Sequence, residues 1–418
     1  MTDFFQNGII TTLHNLTNRS LESLEGELCE YARERPMGLI LPCLYSELEH
    51  PALADIVTKL SNIPYISDII IGLDQATEAQ YHHAVEYFSV LPQRHHILWN
   101  DGPRLQAVYN ALGEADLAPV ERGKGSNVWY CMGYALSLGH LKAVALHDCD
   151  IKTYDPMLVA RLFYPVANPN FQYQFCKGYY ARVTDTKLNG RVARLLVSPL
   201  IRAMKKIAPG DPYLDYLDSF RYPLAGEFAL NASALHDLRI PSDWSLEVGL
   251  LSEMYRNYST NRICQVEIAD TYDHKHQNLS ADDASKGLSR MSMDIAKSLF
   301  KKLATFGVVF DEGTVRTAKA CYYRIALDLI ESYANDATMN GLTLDRHQEE
   351  KAVEVFASNI LKAGEAYLKG GDEMPFMPTW QRVSGAFPGV YRELQAAVEQ
   401  DAADSKAGAN ATQLAAAV

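Results

Sequence analysis

Apolar residues along this chain follow two patterns that change over near residue 290. Before that point, short, mainly apolar runs recur, most of them stopped by a proline or an acidic residue. They are 37–42 (MGLILP), 66–74 (ISDIIIGLD), 95–100 (HHILWN), 141–150, which closes on Asp148-Cys149-Asp150, and 173–181. Such runs predict buried strands. Between and after them lie stretches at helical spacing, 78–90, 126–138 and 190–207, the last carrying Arg191, Arg194, Arg202 and Lys205. Strands alternating with helices predict an α/β fold, a mainly parallel sheet covered on both faces. Ligands of such sheets sit at the carboxyl ends of the strands, where Pro42, Asp74, Asp148 and Asp150 fall.

After residue 290 the pattern is helical throughout, over 292–303, 315–334 and 347–368. The expected organisation is a helical lead-in over 1–37, an α/β domain over 38–290, and a C-terminal helical domain over 291–400. The Ala-rich, polar end, 401–418, has no clear apolar face and is expected to be disordered. The helical part reads as a separate domain or a dimerisation appendage, so a homodimer is expected.

Bulk composition narrows the function. Apolar content of 48% with 22% charged residues fits a globular protein, and the net charge of −12 argues against a general nucleic-acid binder. Seven cysteines without a Cys-x-x-Cys pair form neither a disulfide framework nor a zinc site, which suits a reducing cytoplasm. No run of ~18 apolar residues predicts a membrane span, and the first residues lack the basic start of a signal peptide. A cytoplasmic protein is the expectation.

Five clusters could carry chemistry. Asp148 and Asp150, at i and i+2 on a strand end, can face one hard divalent cation and leave its other positions to substrate phosphates; a solvated turn looks the same in sequence. Residues 121–127 (ERGKGSN) form a cationic, Gly-rich turn before a helix, a place to hold a phosphate. It is no Walker loop, because Ala118 stands where the first glycine belongs and Gly125 follows Lys124. In 222–228 (YPLAGEF), small residues allow close approach of backbone to a ligand while Glu227 offers a carboxylate. Downstream, Asp243 and Glu247 share a face if helical, and His274 and His276 share one if on a strand.

Taken in order, GKG, the strand ending in Asp-x-Asp, CKGYYAR (176–182), NGRVARLLVSPLI (189–201), PLAGEFA (223–229), LEVGLL (246–251) and DHKH (273–276) resemble the glucosyl-3-phosphoglycerate synthases. The resemblance covers about residues 38–290. It implies a GT-A nucleotide-sugar glycosyltransferase fold, Rossmann-like with a mixed sheet, here with a C-terminal helical extension as in the more distant mannosylglycerate synthase. It also implies retaining transfer of glucose from a nucleotide sugar, UDP-glucose foremost, to 3-phosphoglycerate, giving a precursor of the compatible solute glucosylglycerate.

By the same resemblance Asp150 and His274 hold Mg²⁺ or Mn²⁺. Asp148 and Cys149 lie against the ribose and diphosphate, Pro42, Leu44, Glu47 and Gln75 line the nucleoside pocket, and Lys124 is close to the donor. Leu224, Ala225, Gly226 and Glu227 hold the glucose, with Leu224 and Glu247 nearest the reaction, and Gly190, Arg191 and His276 bind the acceptor. The chain departs from the family pattern in three places. Pro42-Cys43-Leu44-Tyr45-Ser46-Glu47 replaces Pro-Ala-Leu-Asn-Glu-Glu, PLAGE replaces PLGGE, and Ala193 stands where a threonine is common. Two other readings fit parts of the pattern: direct glucosyl or mannosyl transfer to unphosphorylated glycerate, and a non-catalytic sugar-nucleotide binding protein.

Overall fold

The computed structural model of the protein describes residues 6, 8–17, 19–184, 186–274, 287–370 and 376–416, with side chains to residue 408. In chain order its strands are β1 (Thr11–Leu13), β2 (Met37–Leu44), β3 (Ile66–Asp74), β4 (Arg94–Trp99), β5 (Ala143–Leu146), β6 (Phe175–Tyr180), β7 (Phe228–Asn231) and β8 (Ile263–Ala269). The chain divides into two compact units, and each draws on three separate segments. A sheet unit comprises Asn15–Cys176, Gly226–Ser242 and Phe376–Val418; a helical unit comprises Met1–His14, Lys177–Ala225 and Asp243–Pro375.

In the sheet unit the strands run in the order β7-β5-β2-β3-β4. β5, β2, β3 and β4 are mutually parallel where they pair, and β7 joins antiparallel at the β5 edge. The apolar runs form strands because both faces are covered: Leu39, Leu41, Ile69, Ile70 and Ile71 are fully buried. The helix Lys124–Leu138 packs on β2 and β3. It lies so close to Gly72 that a Cβ there would meet the Asn127 side-chain oxygen at 1.8 Å. At the amino ends of β3 and β4, buried Asp68 takes contacts from His96 (3.1 Å), His140 (2.7 Å) and Arg94 (2.9 Å). Burial alone would raise the Asp68 pKa, but the hydrogen bonds from the two histidines hold it well below the usual carboxylate range.

The end of the chain belongs to this unit. Trp380 stacks on Trp129 with centroids 4.3 Å apart, and each indole N–H donates to a backbone carbonyl, Trp380 to Trp129 and Trp129 to Pro378. From Asp401 the chain is not disordered as its composition implies; it continues the helix Val390–Ala416. Asp401 is buried and ion-paired with Arg104, and Ser405 lies 2.7 Å from His82. Tertiary partners supply the order that the Ala-rich sequence lacks by itself.

The helical unit contains the long helices Gly287–Thr305, Glu312–Met339 and Arg346–Lys369, each longer than the sequence pattern indicates. The first and second both pack along the third, and the second also lies on the helix Ser198–Ile207. The lead-in is not wholly helical: Thr11–Leu13 pairs in parallel with β8, and the helix begins only at Leu21, capped by Ser20. The strands β7 and β8 also escape the sequence pattern. Among the described residues no helix is long and apolar enough to cross a membrane.

Candidate active site

In the sheet unit, the residues singled out from sequence gather at carboxyl ends of parallel strands. Pro42 and Leu44 close β2, and Glu47, buried, lies in the short turn after it. Gln75 follows β3 with φ +58, one of two non-glycine residues with positive φ among the described residues. Such a conformation costs about 1 kcal/mol or more, and it marks positions that the surrounding structure holds in place.

Asp148 and Asp150, both half-buried, follow β5. The Lys124 ammonium stands 2.6 Å from Asp148 at the start of the helix Lys124–Leu138, so the Gly-rich turn delivers its cation to the carboxylate pair. The other cation of that turn, Arg122, is 2.6 Å from Asp101. Gly125 lets the turn sit on backbone: a Cβ there would come within 2.5 Å of the Pro241 carbonyl oxygen and 2.9 Å of Ser242 Cα. A Cβ on Gly226 would meet Asp148 Oδ2 at 2.7 Å, so the glycine of PLAGE lies directly on the first carboxylate. Glu227 beside it is fully buried.

His147 and Tyr154, which sequence reasoning passed over, steady the Asp-x-Asp backbone. His147, fully buried, has its pKa lowered by burial to about 4, which keeps the ring neutral. Its Nδ1 then donates to the Asp148 carbonyl while Nε2 accepts from the Tyr154 hydroxyl. Cys149 is buried with its thiol against that of Cys43, a contact that together with burial raises its pKa, so a ligand would meet its backbone rather than its sulfur. Two hard oxygen donors with a lysine on one of them suit a divalent cation bound together with phosphate oxygens.

The remaining candidates fall in the helical unit. Gly190, with φ +76, follows an irregular loop in which the Asn189 N–H donates to the Arg182 carbonyl. A Cβ on Gly190 would meet Arg182 Cβ at 3.4 Å and Tyr222 Cε2 at 3.6 Å. Arg182, the last residue of CKGYYAR, has Nε and Nη2 buried with no partner among the described residues. Tyr180 stacks on Tyr272 at 3.7 Å and tilts against Tyr222 at 5.0 Å. Lys177, fully buried on β6, donates to the Ala225 carbonyl of PLAGE, beside half-buried Leu224.

Arg191 begins a helical stretch whose next turn, Ala193–Val197, is a π-helix, a form frequent at functional sites. Arg191 Nε lies 3.1 Å from Glu349 Oε1, and Arg194 Nη1 lies 2.8 Å from Glu349 Oε2. No local pattern points to Glu349, which is 158 residues away from Arg191. Glu247 sits in the first turn of the helix Leu246–Asn257. Asp243 is outside that helix, accepting from the Ser245 N–H at 2.9 Å, so the two do not form an i, i+4 pair. His274 follows β8 in a non-strand segment, its ring 5.6 Å from that of Tyr272, and His276 lies outside the described residues.

The chain is 47% identical to the glucosyl-3-phosphoglycerate synthase of Persephonella marina, across 97% of this chain and the whole of that one. It is 38% identical to the synthase of Methanococcoides burtonii, across 96% and 98% of the two chains. The chain belongs to the glucosyl-3-phosphoglycerate synthase family. It is therefore a member of a glycosyltransferase family, as the ordered motifs indicate. Its fold matches crystal structures of the Mycobacterium tuberculosis synthase, one in complex with Mn²⁺, UDP-glucose and phosphoglyceric acid and another with Mg²⁺ and UDP. The TM-score is 0.51 at 22% identity, over 70% of this chain and 86–87% of those. No family model matches the sequence.

Proposed function

We propose that this synthase moves glucose from UDP-glucose to the 2-hydroxyl of 3-phosphoglycerate with retention of configuration, in the cytosol. The observation that carries the reading is the cluster at the end of β5, where Asp148 is met by the Lys124 ammonium at 2.6 Å and backed by Gly226. A carboxylate pair with a lysine and a side-chain-free backbone beside it suits a sugar diphosphate. The relatives in this family are named for the same transfer.

Asp150 and His274 would hold Mg²⁺ or Mn²⁺. When bound, that cation offsets the charge building on the leaving diphosphate. Lys124 neutralises charge on the same side, and Asp148 with the Cys149 backbone fixes the ribose and diphosphate. Pro42, Leu44, Glu47 and Gln75 line the nucleoside pocket, while Leu224 to Glu227 hold the glucose with Glu247 close to the reacting groups. Gly190 and Arg191 bind the acceptor. Among the described residues no side chain is an evident covalent nucleophile, so the acceptor attacks on the face from which the diphosphate leaves, with the departing phosphate taking the hydroxyl proton.

The test is a panel of UDP-, GDP- and ADP-glucose crossed with 3-phosphoglycerate and glycerate, with Mg²⁺ or Mn²⁺, read by product mass and the anomeric proton signal. The expected product is α-linked glucosyl-3-phosphoglycerate from UDP-glucose. A β-linked product, or transfer to glycerate alone, contradicts the reading.

A further inference from the structure

We infer that Glu349, on the C-terminal helix Arg346–Lys369, is a positioning residue of the acceptor site: it holds Arg191 by Nε and so aims the rest of that guanidinium at an acceptor oxyanion. The inference rests on the reading of Arg191 as an acceptor-binding residue and gives the C-terminal helices a part in the reaction.

The two arginines on Glu349 are held differently. The Arg194 side chain is 9% accessible; its Nε donates to the Asn189 carbonyl at 2.8 Å and its guanidinium lies 4.9 Å from the centre of the Tyr333 ring. It is a buried strut. Arg191 is 35% accessible, and among the described residues Nε alone is bonded, to Glu349. An arginine has five N–H donors in a planar fork. With Nε fixed, the four on the terminal nitrogens remain, in the geometry that grips phosphate or carboxylate through two bonds. Held at Nε, Arg191 loses fewer rotamers on binding than a freely moving side chain would.

Several contacts set Glu349 at this place. The Glu349 side chain is 4% accessible. Its helix is capped by Asp345, which accepts from the Gln348 N–H. Just before the cap, Thr343 donates through both N–H and hydroxyl to the Thr186 carbonyl, and Leu188 donates to the Thr343 carbonyl. The turn leading into the helix is thereby tied to the loop leading into Gly190. On the other side, the Tyr322 hydroxyl of the helix Glu312–Met339 donates to the Leu195 carbonyl in the π-helix. The irregular segment carrying Arg191 is thus clasped by two C-terminal helices, and Glu349 is the contact that reaches the cation itself.

The test is a set of saturation curves for 3-phosphoglycerate and UDP-glucose on the full-length wild type, Glu349→Gln, Glu349→Asp, Arg191→Ala and the double variant Glu349→Gln/Arg191→Ala. Glu349→Asp keeps a charge for buried Arg194 while drawing back from Arg191, so it serves where the Gln variant does not fold. Either Glu349 variant is expected to raise the KM for 3-phosphoglycerate roughly fivefold or more, with kcat and the donor KM within about twofold, because it weakens a charge-assisted contact. The double variant is expected to match Arg191→Ala alone, since residues acting through one contact are not additive. Glu349 effects that multiply with those of Arg191→Ala, or no change in acceptor KM while Arg191→Ala raises it, overturn the positioning role. If Arg191→Ala itself leaves that KM at the wild-type value, the underlying acceptor reading falls instead.

Discussion

The two units hold their candidate residues in place in different ways. In the sheet unit, candidate residues fall where parallel strands end, and most partners are fixed by strand order and one helix start: Lys124 reaches Asp148, Asn127 donates to the Gly72 carbonyl, and Asn100 and Asn127 both donate to Asp74. In the helical unit the corresponding residues lie on an irregular loop and a π-helix, and their partners, Glu349, Tyr322 and Tyr333, come from helices more than a hundred residues later in the chain. A regular sheet edge places charges by periodicity. An irregular segment needs other elements to place them, and those elements are the C-terminal helices.

Substitutions at Lys124, Asp150 or Gly226 in the sheet unit and at Arg191 in the helical unit should therefore separate donor from acceptor effects. The largest expected effect is Asp150→Ala, which removes a proposed cation ligand; loss of roughly a hundredfold or more in kcat/KM, about 3 kcal/mol, is expected. Turnover of this variant at wild-type rate in excess chelator would break the metal assignment.

Asp68 tests the sheet unit away from the site. Its pKa is lowered in the folded chain, so its stabilisation is present above the ordinary carboxylate pKa of about 4 and is lost as pH falls through that value toward the folded one. Asp68→Asn should cost about 2 kcal/mol at pH 7 by breaking a buried charged network. It should also flatten the fall in melting temperature between about pH 5 and pH 3. An unchanged acid slope would show that the histidines do not act through Asp68.

Gly226→Ala gives the smallest expected effect. Its methyl group would sit 2.7 Å from Asp148 Oδ2 and 3.0 Å from its Cγ, so the carboxylate must move out of its place. Overpacking of this kind costs about 1 kcal/mol or more, and a donor KM raised roughly fivefold with the acceptor KM unchanged is expected. An acceptor-only effect would mean that PLAGE serves the other substrate.

What the sequence made legible follows the same division. The predicted strand 66–74 coincides with β3, and 37–42, 95–100 and 173–181 lie within a few residues of β2, β4 and β6, because a short, mainly apolar run is enough to specify a buried strand. β7 and β8 carry too short or too mixed a pattern, and β1 has three residues. The helix through residues 401–416 was hidden because its order comes from Arg104 and His82, not from its own composition. Lys124 and Asp148 could be picked out separately from motifs, but their contact could not. Arg191 was visible as a cation on a helical stretch; that half of its environment is a buried glutamate from a distant helix is a fact of tertiary structure alone.

The most direct test of this division is a pair of initial-rate saturation experiments on Lys124→Ala and Arg191→Ala, varying UDP-glucose at fixed 3-phosphoglycerate and the reverse. Lys124→Ala should raise the donor KM at least roughly tenfold and leave the acceptor KM near wild type, while Arg191→Ala should do the opposite, each through loss of one charge-assisted contact worth about 2 kcal/mol. Equal losses for both substrates in both variants would contradict the account.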